Sequence, residues 1–129
     1  MVQAHAARED MLMSTRILIV DDHAGFRAIA REMLEAEGFD VVAEAEDGAA
    51  ALAAVADHAP GAVLLDVQLP DMSGFDVAAR IVASSGGARV ILTSSRDRAE
   101  LEPLLTGRGA PAFLSKADLS GATLTELLR

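Results

Sequence analysis

Five short apolar runs, four of which stop abruptly on polar or charged residues, constrain this chain more than any other feature. "RILIV" at 16–20 stops on Asp21 and Asp22, and the run Ala62, Val63, Leu64, Leu65 stops on Asp66. "ARVILTSS" at 88–95 ends in Thr93, Ser94 and Ser95, and "AFLSK" at 112–116 in Ser115 and Lys116; "DVVAEA" at 40–45 is the remaining run. Aliphatic runs of this length, without strict polar alternation, suit parallel strands covered on both faces. The intervals between them carry helical periodicity. Phe26, Ile29, Ala30, Met33 and Leu34 share one face of a helix over 24–37 that Gly38 ends. An Ala-rich helix is expected over 49–58, closed by Pro60, another over 74–84, and a last amphipathic one in "SGATLTELLR". Strands alternating with helices through short connections imply a parallel sheet with helices on both faces.

At 129 residues this is one domain, large enough to bury roughly two thirds of its unfolded surface. With 51% hydrophobic but only 3% aromatic residues, its core must be built from Ala, Val, Leu and Ile. The absence of Cys excludes disulfides and thiolate metal sites and fits a reducing compartment. A formal charge of −9 with scattered basic residues argues against direct nucleic-acid binding. No apolar run approaches the roughly 18 residues of a membrane span, and residues 1–14 lack an apolar signal core. The expected address is therefore cytoplasmic, with residues 1–14 a flexible extension before a domain over 15–129.

A carboxylate at the end of an apolar run is costly to bury unless it is paired. In doubly wound sheets, ligands bind outside the carboxyl ends of the strands. The ends of the first, third, fourth and fifth strands gather Asp21, Asp22, Asp66, a hydroxyl and Lys116 on one rim. Three carboxylates repel one another, and a single ammonium does not balance them. A divalent cation does. All-oxygen ligands in an open site favour Mg²⁺, with Mn²⁺ an alternative. Cation and ammonium together would neutralise a transferring phosphoryl group while a carboxylate attacks in line.

Simpler readings stand beside this one. Asp21 and Asp22 would serve equally as a strand end and helix cap, and Lys116 as a solvated strand-end lysine. "TSS" offers three hydroxyls, of which Thr93 should face away from Ser94. Phe113 suits core packing. His23 invites a metal-ligand role, although a lone His beside carboxylates is more often solvated.

"ILIVDDHAGFR", "VLLDVQLPDMSGFD", "VILTSS" and "FLSKADL", in that order, closely resemble the receiver domain of two-component response regulators. The match runs from about Thr15 to Arg129 and is similar to the receivers of regulators with a helix-turn-helix output domain. It implies a flavodoxin-like doubly wound (βα)5 fold with a five-stranded parallel sheet in the order 2-1-3-4-5. It further implies that Asp66 is a phosphoacceptor fed by a sensor histidine kinase or phosphotransfer protein. Asp22, Asp66 and the backbone carbonyl of Gln68 would hold Mg²⁺, with Asp21 acting through a water. Lys116, Ser94 and the backbone of Ser95 would bind the phosphoryl group, and Ser94 and Phe113 would act as the switch. Pro70 and Gly74 match the turn after the acceptor, where Gly lets the backbone bend closely round the site. The domain would be a monomer or a phosphorylation-dependent dimer, no dedicated enzyme, acting on an output partner that the sequence does not name. Standing alone and heading a longer regulator are both compatible with it.

Two departures from the family pattern carry expectations. Ala117 follows Lys116 where many receivers have Pro, so this peptide bond is expected to be trans. Pro103 would sit inside the fourth helix, which predicts a shortened helix from about Glu102 to Gly107 and a looser segment over 96–101. Two competing functions stand beside this one. A Mg²⁺-dependent phosphatase or phosphotransferase with an Asp nucleophile needs a general acid two residues on, where this chain has the amide Gln68. A non-phosphorylated docking receiver would not need the full acidic set.

Overall fold

The apolar runs form the strands that their composition demands, in a computed structural model that describes residues 15–84, 87–95 and 112–128. These are β1 (Arg16–Val20), β2 (Asp40–Ala45), β3 (Ala62–Asp66), β4 (Arg89–Ser94) and β5 (Ala112–Ser115). All pairings are parallel and the order is β2-β1-β3-β4-β5, the predicted flavodoxin-like arrangement. The helices are α1 (Ala24–Ala36), α2 (Gly48–His58), α3 (Gly74–Ser84) and α4 (Gly121–Leu128).

Strand alternation divides the core into two layers. Leu18, Val20, Val63, Leu65, Leu92 and Phe113 pack with Ala51 of α2 and with Val77, Ala78 and Ile81 of α3. Ile17, Ile19, Leu64, Ile91 and Leu114 pack with Ala30 and Leu34 of α1 and with Leu124 and Leu128 of α4. β1 and β3 are therefore buried on both faces, which is why their sequences show no polar alternation.

Several boundaries differ from the sequence reading. β4 is shorter at both ends than 88–95. β5 stops at Ser115, and Lys116 opens a 3₁₀ turn, Lys116–Asp118, that the Ser115 hydroxyl caps from Ala117 N at 3.3 Å. No cis peptide occurs among the described residues, so the Lys116–Ala117 bond is trans as expected. α2 begins at Gly48 with Asp47 as its cap, the carboxylate accepting from Ala50 N at 2.8 Å. It ends on Ala59 in the left-handed region, φ 45°, one residue before Pro60. Arg16 Nη1 donates to the carbonyls of His58 and Ala59, at 2.5 and 3.2 Å, and fixes that end. In β2, pairing with β1 skips Val42, a bulge that puts Val41 in one core layer and Ala45 in the other. The expectations for residues 1–14 and for the Pro103 helix lie outside the described residues.

Candidate functional site

The same alternation that sorts the core also aims the rim. Asp21 continues the series Ile17, Ile19; Asp66 continues Ala62, Leu64; and Lys116 continues Ala112, Leu114, all in the α1–α4 layer. One step beyond the apolar ladder, these side chains meet. Lys116 Nζ lies 2.6 Å from Asp21 Oδ2 and 3.4 Å from Asp66 Oδ2. The ring of Phe26, from α1, sits beneath the ammonium at 4.4 Å. Sequence reasoning assigned Phe26 only to a helix face; its role depends on where Lys116 lands.

Asp21 is fully buried and Asp66 is 4% exposed, whereas the Asp22 side chain is 38% exposed. Asp21 Oδ1 accepts from His23 N at 2.8 Å and faces His23 Nδ1 at 3.0 Å. Its Oδ2 faces the lysine but receives no hydrogen bond of good direction. Asp66 Oδ1 accepts from Gln68 N at 3.2 Å. Burial pushes the Asp66 carboxyl above its ordinary value, opposed by the Gln68 N–H and Lys116 and reinforced by Asp21.

The loop after Asp66 is tightly built. Val67 N bonds Thr93 O at 2.9 Å, Gly74 N bonds Val67 O at 2.8 Å, and Gln68 bridges Ser73. A Cβ on Gly74 would collide with the Asp66 carbonyl oxygen and approach Val67 Cα to 2.6 Å. Glycine at this position is thus required by contact with the backbone of the acidic strand end. Asp71 accepts from Gly48 N and Ala49 N at 2.7 and 2.9 Å, tying this loop to the start of α2. These two bonds, Gly48 first, hold its carboxyl below the ordinary carboxylate range. Sequence reasoning missed this clamp, because nothing local links residues 48 and 71.

An open cavity of about 310 Å³ collects Asp22, Asp66, Gln68, Ser94, Ser95 and Lys116, with His23, Leu69 and Pro70. The structure therefore brings the acidic, amide, hydroxyl and lysine candidates together, with Asp21 buried behind them. Ser94 is 3% exposed and lines the cavity; Thr93 is buried and does not. Phe113, 8% exposed, packs in the α2–α3 layer away from the cavity lining. His23, read as more often solvated, is exposed yet directs Nδ1 at the acidic pair, 3.1 Å from Asp22 Oδ1. A larger groove of about 430 Å³ between α2 and α3 is mostly apolar, and its lining contains no carboxylate.

Asp21, Asp22, His23 and Asp66 each offer a ligand atom, all within 4.8 Å of one another. Three carboxylates against one ammonium, and a buried Asp21 oxygen short of hydrogen bonds, fit a divalent cation.

Comparison with known proteins identifies the class to which this doubly wound sheet, with its acidic rim and single lysine, belongs. The model of the response regulator receiver domain matches residues 17–129, and the chain belongs to that family, the receivers of two-component systems. It is 36% identical over 104 residues to the chemotaxis protein CheY of Bacillus subtilis, covering 81% of this chain and 87% of that protein. It is 36% identical over 115 residues to the probable transcriptional regulatory protein NarL of Mycobacterium tuberculosis. That match covers 88% of this chain and 51% of the regulator, so the chain spans about half the length of such a relative. The solved receiver domain of the M. tuberculosis NarL superposes with a TM-score of 0.72 at 34% identity, over 88% of this chain and 96% of that one. Among the described residues no helix is long and apolar enough to cross a membrane.

Proposed function

We propose that Asp66 accepts a phosphoryl group from a phosphohistidine of a sensor kinase or phosphotransfer protein, and that the modified domain regulates an output partner. The observation that carries this reading is the placement of Asp66. It stands at the end of the central strand, its carboxylate 3.4 Å from Lys116 and lining a cavity wide enough for a phosphoryl group. A carboxylate oxygen of Asp66 forms the new P–O bond as the P–N bond breaks, and the departing imidazole nitrogen keeps the electron pair and takes a proton. Lys116, Ser94 and the Ser95 backbone bind the phosphoryl oxygens. Asp22, Asp66 and the Gln68 carbonyl would hold Mg²⁺, with Asp21 reaching it through water. Bound there, the cation would offset carboxylate repulsion and charge on the transferring group.

The aspartyl phosphate adds charge at a site where Ser94 and Lys116 respond to it, and so shifts a two-state equilibrium. Near-complete switching requires about 5.5 kcal/mol of differential interaction. Phe113, packed between the sheet and the α2–α3 layer, would report that shift through its burial. Gln68, where a hydrolase would need an acid, supports a stored phosphoryl group over a turned-over substrate.

The test is to incubate the protein with Mg²⁺ and a small acyl-phosphate donor and weigh it intact. A gain of one phosphoryl group that Asp66→Asn abolishes is expected. No gain, or a gain that survives this substitution, would sink the reading.

A further inference from the structure

The histidine after the acidic pair is more than a strand-end residue. His23 is the N-cap of α1, yet its side chain makes no capping bond to the helix. Its Nδ1 instead points back across the turn, 3.0 Å from Asp21 Oδ1 and 3.1 Å from Asp22 Oδ1. At the roughly 2.1 Å bond lengths of a small six-coordinate dication, adjacent ligand atoms lie about 3.0 Å apart. The distance to Asp22 Oδ1 thus suits neighbouring positions in one coordination sphere, while Asp21 Oδ1, within hydrogen-bonding reach of the same nitrogen, stays one water away from the cation. Asp66 completes the group within the 4.8 Å span, and His23 lines the same cavity.

We infer that His23 is a direct nitrogen ligand of the cation in this pocket and tilts its preference from Mg²⁺ toward first-row transition dications such as Mn²⁺. A cation entering between Nδ1 and the Asp22 carboxylate would take the Nδ1 lone pair of an imidazole that carries its proton on Nε2. Imidazole is a poor ligand for Mg²⁺ and a good one for the softer dications, whereas carboxylates serve both. One nitrogen among oxygens therefore changes selectivity more than overall affinity. The side chain is 70% exposed, so it is free to adjust as the cation enters. The inference rests on the proposed reading of the rim as a metal-dependent phosphoacceptor site.

The experiment loads the wild-type domain with Mn²⁺ and records pulsed electron paramagnetic resonance for coupling to a directly bound ¹⁴N. Mn²⁺ and Mg²⁺ affinities are measured in parallel by calorimetry. Wild type should show the nitrogen coupling, and His23→Ala should lose it. The same substitution should weaken Mn²⁺ by about 10-fold and Mg²⁺ by less than about threefold. Mn²⁺ binding without nitrogen coupling, and with equal affinity in His23→Ala, overturns the role of His23 while leaving the carboxylates as a metal site. Failure of the wild type to bind either ion, with Asp22→Asn indistinguishable from it, overturns the metal-site reading as well.

Discussion

Two charged clusters flank α1, and they are built on opposite principles. On the outer edge, Arg27 Nε reaches Glu44 Oε1 at 3.0 Å, Arg31 Nε reaches Glu44 Oε2 at 2.6 Å, and Arg31 Nη1 reaches Glu35 at 3.1 Å. Two cations meet two anions, and the hydrogen bond from Arg31, foremost, holds the Glu44 carboxyl below its ordinary value. At the rim, Asp21 and Asp66 share the single ammonium of Lys116, Asp22 faces the His23 imidazole, and burial pushes Asp66 the other way. The edge cluster is held by its own charges. The rim cluster is held against its charges by backbone, and that imbalance is what the proposed uptake of a cation and a phosphoryl group would draw on.

If backbone holds the rim together, the largest effect should come from disturbing that backbone without touching a charge. Gly74→Ala places a methyl group against the Asp66 carbonyl and Val67 Cα, neither of which is a flexible side-chain tip. A loss of about 3 kcal/mol in urea unfolding is expected. A change under about 0.5 kcal/mol, within the range of neutral surface substitutions, would show that the loop gives way and that the strand end is not rigidly buttressed.

The next effect tests the charge imbalance directly. A dication that binds only the folded rim stabilises it by about 2.7 kcal/mol at a hundredfold excess over Kd. Thermal melts with Mg²⁺ should rise accordingly in wild type and stay flat in Asp22→Asn, while the edge cluster contributes nothing to the shift. An equal rise in both proteins would place the ion elsewhere.

The contrast between the clusters also explains what the sequence made legible. β1 and β3 are readable to the residue, because burial on two faces leaves a continuous apolar run that few other structures tolerate. Asp66 was readable for the same reason, as a costly group ending such a run. Hidden features arise where the two partners are far apart in the chain. Phe26 under Lys116, Asp71 on the start of α2 and the direction of the His23 ring all depend on the assembled sheet. The bulge at Val42 and the left-handed Ala59 left no trace either, since neither uses glycine or a polar turn residue.

Removing one rim carboxylate should stabilise the metal-free fold even as it abolishes function. The Asp66 carboxyl lies above its ordinary value of 3.8, so its ionised form is disfavoured by folding. That penalty is full above the folded pKa and disappears as pH falls to the unfolded value. In EDTA at pH 7, Asp66→Asn should gain on the order of 1 kcal/mol, with Lys116 still paired to Asp21, and the gain should vanish below about pH 4. Destabilisation at neutral pH would mean that Lys116 already balances the rim, and the contrast with the edge would fail.

The smallest effect is expected at the edge and has the opposite sign. Glu44→Gln should cost about 0.5 kcal/mol, because its partners are partly exposed and solvent screens them. The Glu44 carboxyl is lowered from its ordinary 4.5, so its contribution is present above that value and is lost as pH falls through the folded pKa. Wild type and Glu44→Gln should therefore differ at pH 7 and converge in acid, the wild type losing its advantage, and salt should narrow the gap at pH 7. Asp66→Asn approaches wild type in acid from the more stable side and Glu44→Gln from the less stable side. That pair of curves separates a cluster that stabilises the fold from one that the fold must hold in place.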